Sequence, residues 1–427
     1  MTNNSPNSIE NLETYIRHKA EEAKKASRVL AGVSTNLKNR ALMTAAERMR
    51  EQRASIQEKN RFDLTYGLEK GLSSAMLDRL ELSDKRIEGI AKMLEEVAAL
   101  PDPAGEITQM RVRPNGLRVG KMRVPIGVIG LIYESRPNVT ADAAALCLKS
   151  GNAILLRGGS EAIHSNIALA WILQEALKEC GLPAAAVSFI ETTDREAVRL
   201  MCRLNGLVDV IIPRGGKSLI ETVVELATIP VLKHYDGNCH VYVDKDADAE
   251  MAHKICMNAK IQRPGVCNAA ETFLVHQAMA GDFLKNLIAD LKRNRVEIRG
   301  CERTQKIDPA VIAATPEDWD TEYLDLIVAV KIVDSMDEAI DHIALHSSAH
   351  TDAIVTNHYS AAMRFLRDVD SSSVMVNAST RFSDGGEYGL GAEMGISTDK
   401  LHARGPMGLV ELTCEKFVVL GEGHLRE

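Results

Sequence analysis

Along the first hundred residues, apolar positions recur at helical spacing among dense Lys, Arg and Glu, which predicts helices over 9–31 and 37–59. Ser83 and Asp84 read as the start of a third helix that ends before Pro101. The charges on these segments read as solvated helix faces. From Met110 to Arg123 the period shortens to two around Pro114-Asn115-Gly116, and the Asn-Gly pair predicts a β-hairpin. So small a ribbon lacks a core of its own and is expected to pair with a further element, another subunit being one candidate.

Next comes a regular alternation. Strands are predicted at Val128–Tyr133, Ala153–Arg157, Val187–Glu191 and Val208–Ile212, with helices from Thr140 to Ser150, from Ser160 to Cys180, between 191 and 208, and after Lys217, before the segment 228–234. A second series follows: a strand at Glu271–His276, a helix at Phe283–Lys292, a strand at Ile327–Val333, a helix to Leu345 and a strand at Ala353–Val355. Residues 409–414 and 417–420 alternate as edge strands. Strands and helices at this spacing imply α/β layers, parallel sheets covered on both faces, of the nucleotide-binding kind.

Composition narrows the class. The chain has 427 residues, 45% of them hydrophobic, enough for two or three globular domains. No apolar run is long enough to span a bilayer, and residues 1–21 are polar without a signal-like core, so no membrane partner and a cytoplasmic address are expected. The eight cysteines form no CxxC pair and no metal-ligand spacing, so reduced thiols are expected. The net charge of −8 argues against a nucleic-acid partner.

Candidate chemistry centres on Gln262-Arg263-Pro264-Gly265-Val266-Cys267-Asn268-Ala269, a small-residue loop presenting one thiol between a helix-like segment and an apolar run. A thiolate attacks an acyl carbon well and forms a thioester that a hydride can reduce, which nominates Cys267 as nucleophile; a buried structural cysteine is the alternative. Two glycine loops sit where strands end. In Arg214-Gly215-Gly216-Lys217-Ser218 the glycines permit close backbone approach, the helix start offers free N–H groups and the flanking cations add charge, a setting for a phosphate-bearing cofactor. The same letters read equally as a Gly-Gly turn with solvated charges, and Arg157-Gly158-Gly159 carries the same two readings. His346 to Asp352 is a polar turn; its two histidines lack supporting carboxylate or thiol spacing, so hydrogen bonding is expected there and no metal.

Taken together, Val124-Pro125-Ile126-Gly127-Val128-Ile129-Gly130, Glu134-Ser135-Arg136-Pro137-Asn138, Gly151 to Gly159, the Cys267 loop and His346 to Asp352 resemble the γ-glutamyl phosphate reductases, a family of the aldehyde dehydrogenase superfamily. The resemblance covers nearly the whole chain and is weakest in the first hundred residues. It implies an aldehyde dehydrogenase-like α/β fold: two Rossmann-like parallel-sheet domains plus a β-strand oligomerisation flap. It divides the chain into an NADPH-binding domain (1–105 and 124–250), a catalytic domain (251–400) and oligomerisation strands (106–123 and 401–427) of a homo-oligomer.

The activity implied is NADPH-dependent reduction of L-glutamyl 5-phosphate to glutamate 5-semialdehyde, the second step of proline synthesis from glutamate, with Cys267 carrying the thioester. A glutamate 5-kinase that hands over the labile acyl phosphate is a candidate partner. By position Asn138 resembles the side-chain oxyanion donor of the superfamily, a contribution of roughly 3 kcal/mol; a helix N-cap or Asx turn is its alternative reading. Arg157 stands where the superfamily contacts the adenosine ribose, and its guanidinium suits a 2′-phosphate. Glu322 aligns with the glutamate that holds the nicotinamide ribose, although Leu324-Asp325-Leu326 replaces the usual flanking Phe-Gly-Pro; a surface acid is the alternative. For the substrate's α-amino and α-carboxylate groups, Arg136 and Arg263 are basic candidates near the motifs. Hydrolytic relatives carry a water-activating glutamate in a Glu-Leu-Gly-Gly run, where this chain reads His234-Tyr235-Asp236-Gly237. That favours acyl-phosphate reduction over a hydrolytic NAD(P)-dependent aldehyde dehydrogenase or a silent scaffold. His234 itself reads as a base or as a hydrogen-bonded strand end.

Overall fold

A computed structural model describes residues 9–426 of the chain, so the reading of the first eight residues as part of a polar start lies outside the described residues. Two compact units result: Met1–Lys233 with Leu390–Gly395 and Met407–Glu427, and His234–Gly389 with Ile396–Pro406.

In the first unit, α1 (Ile9–Leu30) buries Leu12, Ile16, Ala20, Ala23 and Leu30, a stripe at the three-to-four spacing of one helix face. The single helix expected over 37–59 is two helices, α2 (Thr35–Glu51) and α3 (Arg53–Glu69), broken at Gln52 (φ −95°, ψ 16°). No Gly or Pro marks the break, and backbone hydrogen bonding runs through it: Gln52 N–H donates to Arg48 O at 2.9 Å, and Ile56 N–H to Gln52 O at 3.0 Å. Beyond the break, α3 buries Asn60 and Asp63. Helix α4 (Ser74–Leu80), which hydrophobic periodicity did not suggest, is capped by Ser73 Oγ accepting from Met76 N–H at 3.3 Å. Helix α5 (Asp84–Ala99) starts after Ser83 as expected, but the Ser83 side chain makes no cap bond.

The hairpin forms from β1 (Ile107–Val112) and β2 (Arg118–Pro125), with Gly116 at φ 91° in its turn, a backbone state that Gly adopts without strain. The layered region then runs β3 (Val128–Tyr133), α6 (Val139–Ser150), β4 (Ala153–Gly158), α7 (Ile163–Glu179), β5 (Val187–Phe189), α8 (Glu196–Met201), β6 (Val210–Arg214) and α9 (Lys217–Leu226). Every residue of β3 and β4 is buried, which is why those strands read as unbroken apolar runs. The parallel order is β5-β4-β3-β6, so the chain changes direction of travel between β3 and β6, and the loops after these strands flank a topological switch point. The strand expected at 208–212 starts two residues later, and the segment 228–234 contributes one isolated bridge, Ile211 to Val231. Asp63 accepts from the N–H groups of His164 (3.1 Å) and Ser165 (2.8 Å), satisfying free donors at the start of α7.

The second unit runs β7 (Cys239–Val243), α10 (Ala249–Ile261), β8 (Ala270–His276), α11 (Asp282–Arg293), β9 (Glu297–Gly300), α12 (Glu302–Ile307), β10 (Ile312–Ala313), β11 (Ile327–Val333), α13 (Met336–His346), β12 (Thr351–Val355), α14 (Tyr359–Asp368), β13 (Ser373–Val376) and the short pair β14 (Ile396–Ser397) and β15 (Gly405–Pro406). Seven strands make one parallel sheet in the order β10-β9-β11-β8-β7-β12-β13. Val241, Phe273, Val275, Leu287 and Val330 fill one face, and Tyr242, Leu274, Ile354 and Phe365 the other. Strand β7 is central yet escaped periodicity, because it holds a fully buried histidine: Asp352 accepts the His240 N–H at 2.9 Å and lies 3.2 Å from its Nδ1.

The third sheet belongs to the first unit. Strand β16 (Thr413–Leu420) pairs antiparallel with β2 from Thr413 against Pro125 to Leu420 against Arg118. The hairpin's expected partner is thus the tail of its own chain, and the two edge strands expected at 409–414 and 417–420 are one strand. Among the described residues no helix is long and apolar enough to cross a membrane.

Candidate active site

The second unit gathers its reactive side chains at the amino edge of its sheet. Cys267 lies just before β8, His350 immediately before β12, and the His234–Gly237 segment just before β7; these three strands are neighbours at the sheet's centre. The Sγ of Cys267 and one ring nitrogen each of His234 and His350 all lie within 4.8 Å of one another. Cys267 is partly exposed, whereas Cys147, Cys180, Cys202, Cys239 and Cys256 are buried.

Several bonds fix the thiol's loop. Asn268 Nδ2 donates to Ser383 O at 2.8 Å, Ala269 N–H closes a turn onto Val266 O at 3.0 Å, and the Cys239 thiol donates to Cys267 O at 3.2 Å. Gly237 lies so close that a Cβ there would overlap the Cys267 Cα and carbonyl. Gly237→Ala is therefore expected to push the nucleophile's backbone aside. Since an ångström of misplacement costs about 10²-fold in rate, kcat should fall by about that factor with a smaller change in KM. Steady-state kinetics at an unchanged urea midpoint would check it; wild-type kcat would mean that the loops part freely.

His350 is fully buried, edge-on to the His234 ring with centroids 5.3 Å apart. Its Nδ1 sits 2.9 Å from Thr351 Oγ1, and its Nε2 has no hydrogen-bond partner among the described residues. Burial, with His234 adding to it, pushes the imidazole down to about 3, so the ring is neutral near pH 7. His346, the other histidine of that motif, bonds Asp320 Oδ1 at 2.7 Å and has the structural role expected of it.

Two further features had no sequence signal. Arg381, on a short turn after β13, donates through Nε to Gln262 Oε1 at 2.8 Å. Burial lowers its pKa and repulsion from Arg263 adds to this, while Asp384 and the Cys267 sulfur counteract it, which sets the Arg381 guanidinium in the field of the thiol. Flanking the loop, Lys260 in the last turn of α10 and Glu271 on β8 form a buried ion pair, Nζ to Oε2 2.5 Å, with neither side chain exposed. Burial pushes the Glu271 carboxyl up and the Lys260 ammonium down, each opposed by the other's charge. Glu322 approaches the same loops, its Oε1 accepting the Gly237 N–H at 2.9 Å.

The remaining candidates lie in the first unit. Arg157 is the penultimate residue of β4, 8% exposed; its Nη2 is 3.3 Å from the carbonyls of Thr193 and Asp194, and its buried Nε has no partner among the described residues. A Cβ on Gly158 would meet the Asn166 amide, and one on Gly159 the Glu161 carboxylate, which accepts from Ser135 N–H at 2.5 Å. Arg214 ends β6 and Gly215 follows it, while Gly216 is the N-cap of α9 and Lys217 its first residue. Glu134 Oε2 takes the Gly216 N–H at 3.2 Å, so one of the chain's own carboxylates occupies the anion position at that helix start. The loops after β3, β4 and β6 thus converge at the carboxyl edge of the four-stranded sheet. Asn138 occupies the N-cap position of α6 without capping it; its Nδ2 donates instead to Asp142 Oδ2 at 2.7 Å. Burial pushes that carboxyl up to about 6 against the Asn138 bond.

The comparisons agree with this architecture. The profile of the aldehyde dehydrogenase family matches residues 10–314. The γ-glutamyl phosphate reductase of Caldanaerobacter subterraneus subsp. tengcongensis is 58% identical over 96% of this chain and 100% of its own. That of Thermodesulfovibrio yellowstonii is 55% identical over 97% of this chain and all of its own. The crystal structure of γ-glutamyl phosphate reductase from Thermotoga maritima superposes with a TM-score of 0.95 at 51% identity, covering 96% of this chain and 100% of that one. Neighbours below 25% identity, such as an acetylating aldehyde dehydrogenase from Geobacillus thermoglucosidasius (18%, TM-score 0.68, 99% of this chain and 100% of that one), share the fold. Full-length identity at this level, on two parallel sheets with a thiol at the amino edge of the second, makes the chain a member of the aldehyde dehydrogenase family and, within it, of the γ-glutamyl phosphate reductases.

Proposed function

We propose that the chain reduces L-glutamyl 5-phosphate to L-glutamate 5-semialdehyde with release of phosphate, using NADPH, as the second step of proline biosynthesis from glutamate. The observation that carries this reading is the 58% identity, end to end, to a γ-glutamyl phosphate reductase. The chemistry near Cys267 supports it: two imidazoles lie near the thiol, and the resemblance puts His234 where hydrolytic aldehyde dehydrogenases carry a water-activating glutamate. Water activated at that point would cleave the thioester before reduction.

Cys267 Sγ attacks the acyl carbon, the bond to the phosphate oxygen breaks, and phosphate leaves with the electron pair. The guanidinium groups of Arg263 and Arg381 supply the charge that such a leaving group requires. When bound, the reduced nicotinamide supplies the hydride that takes the thioester to the aldehyde level. Asn138 and the Cys267 N–H keep the oxyanion-donor role implied by the resemblance, and collapse of the tetrahedral adduct breaks the C–S bond and restores the thiolate.

The first unit suits a phosphate-bearing nucleotide. Arg157 holds a buried guanidinium with an orphaned Nε, a donor that a 2′-phosphate would satisfy, and Gly158 and Gly159 let the Asn166 amide and the Glu161 carboxylate pack close to this loop. Arg214, Gly215, Gly216 and Lys217 would offer N–H groups and charge to a pyrophosphate, which would compete with Glu134 for the Gly216 N–H. Glu322 keeps the nicotinamide-ribose role. In this reading residues 1–105 and 124–250 bind the cofactor, 251–400 carry the nucleophile, and 106–123 with 401–427 join subunits of a homo-oligomer in the cytoplasm, a glutamate 5-kinase being the supplier of substrate.

The reverse reaction tests the proposal: reduction of NADP by glutamate 5-semialdehyde, with and without inorganic phosphate. Strict phosphate dependence is expected. Phosphate-independent turnover yielding free glutamate would replace this reading with the hydrolytic alternative.

A further inference from the structure

We infer that Cys267, His234 and His350 form a binding site for a thiophilic divalent cation of the zinc class, and that its occupation silences the thiol. The effect on turnover rests on the reading of Cys267 as nucleophile; the binding does not.

The donor set is one thiol and two imidazoles, the combination that selects zinc over calcium or magnesium. Tetrahedral zinc, with S and N ligands at about 2.3 and 2.0 Å, sets its ligand atoms roughly 3.3–3.6 Å apart. The three atoms here already lie within 4.8 Å of one another, so side-chain rotation of about 1 Å closes the site.

The second observation is His350 itself. Its ring is fully buried, its Nδ1 faces Thr351 Oγ1 at 2.9 Å, and its Nε2 has no partner among the described residues. A hydrogen bond on one ring nitrogen that leaves the other's lone pair bare is how metal-binding histidines are oriented. The supports are rigid: β12 follows His350 directly, the Asn268 to Ser383 bond anchors the thiol's loop, and Gly237 packs on the Cys267 backbone next to His234. Among the described residues the group holds three protein ligands, so the fourth position takes water. Binding exchanges the Cys267 thiol proton, released to solvent, for an S–Zn bond; the imidazoles contribute lone pairs and nothing is oxidised. A thiolate whose electron pair is held by the ion cannot attack an acyl carbon, and a chelator restores it.

Cobalt chloride titrated into the chelator-treated full-length protein provides the first test. One equivalent per chain should raise a thiolate-to-cobalt charge-transfer band and tetrahedral d–d bands. Zinc should abolish both, and Cys267→Ala should lose the charge-transfer band. His234→Asn and His350→Asn should each weaken binding at least about tenfold. X-ray absorption at the zinc edge of the loaded wild-type protein needs no variant and should show one sulfur and two imidazole nitrogens.

A shell with no sulfur or two sulfurs, or unchanged affinity in both histidine variants, would overturn the site. So would full phosphate-dependent turnover with stoichiometric zinc bound, and that result would leave the proposed reaction standing. Cobalt and zinc signatures as expected, in a protein that fails the phosphate test, would uphold the site and reject the reaction.

Discussion

Cys267→Ala is expected to lower phosphate-dependent turnover by about 10⁴-fold or more, the scale on which loss of a covalent nucleophile is felt in acyl-transfer enzymes. Without the sulfur no acyl carbon can be held as a thioester, and the cofactor would have to reduce the acyl phosphate directly. Serine in its place should not rescue the rate, because a hydroxyl is almost wholly protonated at neutral pH, whereas a thiol of ordinary pKa about 8.5 is a few per cent thiolate. Two other thiols serve as internal controls. Cys414 is exposed, and Cys301 is partly exposed; burial pushes Cys301 up, but hydrogen bonds from Thr304 and neighbouring N–H groups bring it net below the usual thiol range. Stoichiometric alkylation with peptide mapping should therefore show activity falling in step with the Cys267 peptide alone. Inactivation that tracked the Cys301 or Cys414 peptide, or turnover surviving in Cys267→Ala, would remove the nucleophile from this account.

What could be read in the letters, and what could not, divides along the range of the interaction. Strands β3 and β4 are buried on both faces, so Val128–Tyr133 and Ala153–Gly158 betray themselves as apolar runs, and Gly151 marks the helix end between them at φ 83°. The hairpin announces itself because Asn115-Gly116 supplies the positive φ its turn needs. Cys267 stood out through its Pro-Gly loop. Strand β7 did not, since His240 breaks its apolar pattern and is tolerated only because Asp352, distant in sequence, meets it in the core. The meeting of His234, Cys267 and His350 was equally hidden. It follows from the neighbour order β8-β7-β12, a property of sheet topology and not of any local segment. Nothing in the polar turn from His346 to Asp352 tells its two histidines apart by sequence, yet one bonds an exposed carboxylate and the other turns a buried nitrogen inward. Such differences depend on which strand follows each residue. The Gln52 break, with neither Gly nor Pro and with its backbone bonds preserved, has no sequence mark at all.

The Lys260–Glu271 pair belongs to the hidden class and carries the largest expected effect on stability. Removing one partner of a buried ion pair typically costs about 3–5 kcal/mol, since the other charge is left without water or counter-ion. Lys260→Met should lower stability by about that amount at pH 8. The loss should shrink toward pH 5, for a definite reason. With the ammonium gone, burial alone acts on Glu271, which it already pushes above the carboxylate range with Lys260 present. The folded variant therefore keeps a proton that the unfolded chain, with an ordinary glutamate, releases above about pH 4.3. Where the unfolded state binds fewer protons, stability falls as pH rises. Urea midpoints at pH 5 and pH 8 read this directly, and wild-type protein, whose carboxylate is compensated, should show the weaker slope. The double variant Lys260→Met/Glu271→Leu separates the cost of an orphaned charge from the worth of the pair, because replacing both members by apolar side chains is often neutral or stabilising. It should recover most of the lost stability while Cys267 stays as reactive to alkylation as before. A double variant no more stable than Lys260→Met would mean that packing volume beside the Cys267 loop, and not charge compensation, is what these two residues supply.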